Sequence, residues 1–375
     1  MTDKEKTELQ NEIIKGLPNK PHGLLLIPPR GGKSRITIEL IKRNKPKTIL
    51  WVTPSAELAE VVIPEEFKIW KAAKFIPKLQ TSTWASLYKV TGHFDMVILD
   101  EVHHITEHNS CNFFNHTLKS ESILGITGSN TQHTDKKFLY SALNLKVLYK
   151  MDLGTAVDIG LLANYNVTVV DCELGTEKTY KAGSKDKPFL TTEFNNYLYY
   201  DKVAEEAIRT KSKDRKFKTL ARRRVIINSP SKAEVVEYLW NNLEGRNMFF
   251  CSSITMADSL TKHTYHSKTD NTYLQQFING EINKLALVNA GGTGFTYKAI
   301  DNLVVVQCDS DKNDLVLQKL CRSLLQQKGY TANIWFIRLK KTQDVVWVSS
   351  VIKKLDPNKV KYITFEELKS DGNRN

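Results

Sequence analysis

The chain has 375 residues and a net charge of +13, from 54 Lys and Arg against 41 Asp and Glu. With 41% hydrophobic and 25% charged residues it has an ordinary globular composition, and no apolar run approaches the roughly 18 residues of a membrane span. Five scattered cysteines without a C-x-x-C pair, and a charged start lacking an apolar signal core, argue against disulfides, zinc and secretion, so the cytoplasm is the expected compartment.

A polar helical lead-in over residues 7–16 comes first. Strands are expected at 23–27, 48–52, 94–99 and 123–126, with helices at 34–43 and across SAELAEVVIPEEFKIW. Strand–helix alternation of this kind argues for a parallel sheet with crossover helices. The pattern lapses between about 171 and 224. That stretch holds KAGSKDKP, a tyrosine-rich helical piece and KSKDRKFKTLARRR, a run with eight basic residues and one acid. It reads as a connecting segment over 166–224, whose basic run is either a solvated face or a strip facing phosphates. Alternation resumes at 225–227 and continues through 248–251, 285–288, 303–306 and 334–337. Two α/β domains are therefore expected, over 1–165 and 225–375.

The stretch GLLLIPPRGGKSRITIEL supplies what a phosphate site needs: a strand, a tight turn with free N–H groups, and a helix N-terminus. It departs from G-x-x-x-x-G-K-[ST] in having Ile27 at the small first position and Arg30 inside the loop. Lys33 would reach the β- and γ-phosphates and Ser34 would ligate Mg²⁺. A nucleotide hydrolase also needs a carboxylate on a nearby strand end and a group that orients water. FDMVILDEVHH offers both, Asp100 for Mg²⁺ and Glu101 for the water. The histidines 103, 104, 108 and 116 lack the cysteines or carboxylates that would complete a zinc site. The positive charge fits a polyanionic partner, nucleic acid above all.

DEVH, from Asp100 to His103, resembles motif II of superfamily 2 helicases, the DEAD/DEAH group, and further motifs follow in order. PPRGGKS resembles motif I in a variant associated with compact phage-type helicases and restriction-enzyme motors, with Pro29, Arg30, Gly31, Gly32, Lys33 and Ser34 around the nucleotide. WVTPSAELAE resembles motif Ia with Thr53 and Pro54, TSTWASL falls at motif Ib/Ic with Thr83, and LGITGSN resembles motif III with Thr127 and Ser129. NMFFCSSITMADSL resembles motif IV with Ser252. The motif V counterpart contains Thr293 and Gly294, and LVLQKLCRSLLQQ resembles motif VI with Gln318 and Arg322. TQDVVW also recurs in such helicases. The resemblance covers residues 10 to 350.

It implies an α/β fold of two tandem RecA-like P-loop domains with parallel sheets flanked by helices, and an ATP- and Mg²⁺-dependent helicase or translocase. Lys33, Asp100, Glu101, Gln318 and Arg322 would be catalytic. Thr53, Pro54, Thr83, Ser252 and Thr293 would hold nucleic acid, and His103, Thr127 and Ser129 would couple the two activities. The partner is expected to be single-stranded or branched DNA rather than RNA, with no membrane. Two departures bear on this. Motif VI has Cys321 for glycine and Leu325 for its second arginine, and motif V has Thr296 for an acid. Arg30 is then either a loop brace or a replacement for the absent arginine. An RNA helicase is the alternative within the same fold, and a non-hydrolysing nucleic-acid-binding module on a decayed helicase fold is the alternative from another class.

Overall fold

The computed structural model describes residues 2–28, 31–128, 134–184, 186–288, 299–308, 316, 320, 324 and 330–372. The chain divides into two compact units, Met1–Leu162 and Ala163–Asn375. Among the described residues no helix is long and apolar enough to cross a membrane.

The first unit is built on β1 (Gly23–Leu26), β2 (Ile49–Thr53), β3 (Leu79–Thr83), β5 (Met96–Asp100), β7 (Ile123–Thr127) and β8 (Val147–Lys150). Two short strands, β4 (Gly92–Phe94) and β6 (Leu118–Ser120), pair apart from it. All six main strands run parallel in the order β3-β2-β5-β7-β1-β8. GLLL, ILWVT and ILGIT are buried along their whole length. Unbroken apolar runs are what strands covered on both faces require. The lead-in is the helix α1 (Asp3–Gly16), opened by a reciprocal cap between Thr2 and Glu5. The helix α2 (Lys33–Asn44) follows β1 and buries Ile36, Thr37, Ile38, Leu40 and Ile41.

The second unit contains β9 (Asn164–Cys172), β10 (Tyr180–Ser184), β11 (Lys187–Thr191), β12 (Asn247–Phe250), β13 (Thr264–Tyr265), β14 (Lys284–Leu287), β15 (Asn302–Val305), β16 (Thr331–Leu339) and β17 (Val360–Thr364). Strands β10 and β11 form an antiparallel ribbon of their own. The others make a seven-stranded parallel sheet in the order β13-β14-β12-β15-β16-β9-β17.

The region expected as a connecting segment thus holds a sheet strand, a ribbon and two helices, Glu193–Arg209 and Arg215–Ile227. The expected strand at 225–227 is instead the last turn of the second of these helices. Arg222, Val225 and Ile226 are buried at i, i+3 and i+4, so the short apolar run is one end of an inward helical stripe. Arg222 reaches Asp201 at 2.9 Å and Glu205 at 2.6 Å on the helix Glu193–Arg209. Nearby, Lys232 and Asp344 form a 2.8 Å ion pair with both side chains fully buried. Lys232 also donates to Gln307 Oε1 at 2.9 Å, and Asp344 accepts from the Leu339 N–H at 3.0 Å.

Candidate nucleotide site

Strand order decides what can meet in the first unit. β1 lies beside β7, and β7 beside β5, with Leu26 opposite Thr127 and Asp100 opposite Ile126. The phosphate-loop stretch, the Asp100-Glu101 pair and Thr127 therefore leave the sheet at one carboxyl edge, where open α/β sheets take their ligands.

The loop explains its own atypical residue. Ile27 is fully buried, and its N–H donates to the Thr127 carbonyl at 2.9 Å. A Cβ on Gly31 would lie 2.2 Å from Ile27 Cγ2. The demand for a small residue has thus moved from position 27 to position 31. Gly32 has φ +85°, in the left-handed region, and a Cβ there would lie 1.9 Å from Gln10 Nε2. Gln10 is buried in α1 and donates to the Gly31 carbonyl at 3.2 Å. It also accepts from Arg35, whose guanidinium sits 5.2 Å from the Trp70 ring centroid. Pro29 and Arg30 lie outside the described residues.

Behind the loop, Lys33 Nζ stands 2.8 Å from Glu101 Oε1, both side chains nearly buried. Glu101 has φ +47°, a costly conformation for a residue with a Cβ. Its N–H donates to Asp100 Oδ1 at 2.9 Å. Thr127 donates to Glu101 Oε2 at 3.2 Å, and His103 Nδ1 lies 2.9 Å from the Thr127 hydroxyl. That hydroxyl has one proton, given to Glu101, so it accepts from a His103 Nδ1–H. Burial alone would raise the Glu101 carboxyl. The Lys33 ammonium, His103 and the Gly128 N–H outweigh burial and hold it at about 2.

Ser34 and Asp100 are half-buried, Ser34 in the first turn of α2 and Asp100 at the end of β5. The Asp100 carbonyl accepts from the Trp84 indole N–H at 2.8 Å, and the Trp84 backbone N–H donates to the Thr53 carbonyl at 3.0 Å. Thr53 is fully buried, and its hydroxyl donates to the Ser55 carbonyl at 2.8 Å. Thr83 is its register partner on β3 and half-buried, as is Pro54. Ser252, in the second unit, donates to the Ile227 carbonyl at 3.0 Å. Ser129, Thr293, Gly294, Gln318 and Arg322 lie outside the described residues.

Gln10 and Trp84 were not singled out in the sequence. Gln10 left a signal, since Gln10, Ile13 and Leu17 fall at i, i+3 and i+7 and all three are buried. A polar residue on an inward apolar stripe needs a partner inside.

Several solved structures share this fold. The chain matches S. cerevisiae Dbp5 bound to RNA and ADP BeF3 with a TM-score of 0.58 at 11% identity, covering 98% of this chain and 93% of that one. It matches the ATP-dependent Type ISP restriction-modification enzyme LlaBIII bound to DNA with a TM-score of 0.58 at 12% identity, covering 98% of this chain but 32% of that longer one. The Pyrococcus furiosus Hef helicase domain matches with a TM-score of 0.51 at 11% identity, over 92% of this chain and 97% of that one. No family model and no curated protein matches the sequence. The chain thus shares the tandem RecA-like α/β fold of these structures.

Proposed function

We propose that the protein is an ATP-dependent, cytoplasmic nucleic-acid helicase or translocase that acts on DNA. The observation that carries this reading is the Lys33, Glu101, His103 and Thr127 cluster, built at the carboxyl edge of a helicase-fold sheet. A structural ion pair would need neither the left-handed backbone at Glu101 nor two glycines closed in by Ile27 and Gln10.

The residues fit a nucleoside triphosphate with Mg²⁺. The Ser34 hydroxyl and the Asp100 carboxylate are hard oxygen donors of the kind Mg²⁺ takes, and the glycines permit close backbone approach. Bound Mg²⁺ would supply charge neutralisation on the β- and γ-phosphates. Lys33 would exchange Glu101 for phosphate oxygens. Glu101 then loses its strongest attractive charge while its burial persists, so its basicity rises as substrate arrives. A weak base in the resting protein becomes a usable one beside the attacking water. Thr127 and His103 keep its second oxygen oriented. Gln318 and Arg322 are assigned, from the motif VI resemblance, to the transition-state charge, and His103, Thr127 and Ser129 to coupling.

Thr53, Pro54, Thr83, Ser252 and Thr293 are assigned to the nucleic-acid strand. With the Thr53 hydroxyl turned inward, that assignment at position 53 rests on backbone groups. The Trp84 indole ties this segment directly to the Asp100 backbone. DNA is favoured by the likeness to LlaBIII and to the restriction-motor motifs, whereas the likeness to Dbp5 favours an RNA reading. A decayed, non-hydrolysing module is the second reading, on the strength of Thr296 and Leu325.

The test is phosphate release with single-stranded DNA, single-stranded RNA or neither. We expect DNA to stimulate turnover at least tenfold and Lys33→Ala to abolish the stimulation. Equal turnover by wild type and Lys33→Ala would sink the motor reading, and stronger stimulation by RNA would reassign the substrate.

A further inference from the structure

The basic run has a use that its charge alone does not reveal. Of its eight basic side chains only Arg222 is buried, and Arg222 is the one paired to Asp201 and Glu205. That pairing anchors the helix Arg215–Ile227 against its neighbour and sets which face looks outward. Phe217, Leu220 and Arg224 follow at i, i+3 and i+7 on the outward face, opposite the buried Arg222 and Ile226. Phe217 is 75% exposed, the most exposed large apolar side chain among the described residues, and Leu220 is 44% exposed. Lys213, Lys216 and Arg224 are exposed around them and form no ion pair among the described residues.

A solvated surface does not need an open phenyl ring between cations, and a protein-docking face would not carry so one-sided a charge. Backbone phosphates meet the cations and an unstacked base meets the ring. We infer that this face is a contact surface for single-stranded nucleic acid, gripping phosphates through Lys213, Lys216 and Arg224 and stacking a base on Phe217. The inference rests on the nucleic-acid reading above and adds a surface that none of its motifs contains.

Fluorescence anisotropy with a labelled oligothymidylate of about 20 nucleotides tests it, on the full chain without nucleotide and across a salt series. Phe217→Ala is expected to weaken binding about tenfold and Phe217→Tyr to restore it. The triple variant Lys213→Gln, Lys216→Gln, Arg224→Gln is expected to lower the salt slope by about 2. A halogenated-uracil oligonucleotide should photocrosslink to the peptide containing Phe217. Equal affinity of wild type and Phe217→Ala overturns the inference even if the triple variant binds weakly. In that case DNA-stimulated turnover by the wild type would leave the motor reading standing. A wild type that binds no single strand at all overturns both.

Discussion

In the proposed mechanism Glu101 is the residue on which the chemistry turns. Glu101→Gln keeps the shape of the side chain but cannot take a proton, so hydrolysis should fall at least 100-fold while ATP binding persists. Comparing phosphate release with equilibrium nucleotide binding checks this. The acid response follows from its lowered carboxyl. A group held below its ordinary value near 4.5 contributes stability above that pH and loses it as pH falls towards about 2. In Lys33→Ala burial loses its main opponent, the carboxyl rises, and the sign reverses. The variant should be less stable than wild type by about 2 kcal/mol at pH 7, with the gap closing below pH ~4, read from urea midpoints. Gln10→Ala removes the brace of the loop and should raise KM for ATP about tenfold with little change in kcat, in steady-state kinetics at saturating DNA. The meeting of Lys33 with Glu101 was legible in the sequence, because a strand-turn-helix and an apolar strand ending in two carboxylates bring such groups to one sheet edge. Gln10 was not, because its role lies in filling space over Gly32, and sequence spacing does not carry contacts across 21 intervening positions.

Elements were legible where a run had one consistent period. The strands ILWVT and ILGIT could be little else, and α2 announced itself by its stripe. The run at 225–227 was too short to separate a strand from the end of a helix, and only the buried Arg222 behind it decides. β9 escaped notice for a different reason. Its polar residues Asn164, Asn166 and Thr168 alternate with its buried apolar ones, so no continuous apolar run marks it. Two helices of the second unit, Pro230–Asn242 and Gln343–Ile352, are joined through the buried Lys232–Asp344 charge pair. Lys232→Met should destabilise the protein by about 3–5 kcal/mol, because it strands Asp344 without its cation. The double variant Lys232→Met, Asp344→Asn should recover part of that loss, which urea unfolding of both variants would measure.

At the scale of the molecule, two parallel sheets were readable from alternation. The first domain was expected over 1–165, and the units divide between Leu162 and Ala163, with 166–224 inside the second unit rather than between the two. Charge, by contrast, is a property of the whole chain, and its +13 predicts the mode of binding rather than the fold. The position of β9 has one more consequence. In the first unit every strand lies within about 130 residues of its partners, and the sheet can close as soon as β8 is made. In the second, β9 pairs only with β16 and β17, the last two strands of the sheet in chain order. During synthesis β9 must therefore wait, both edges bare, until nearly all of the chain has left the ribosome. Nascent chains arrested before Thr331 should be cut by protease within 163–330 while the first unit survives. The order of translation is thus written into this protein as a risk carried by its second half alone.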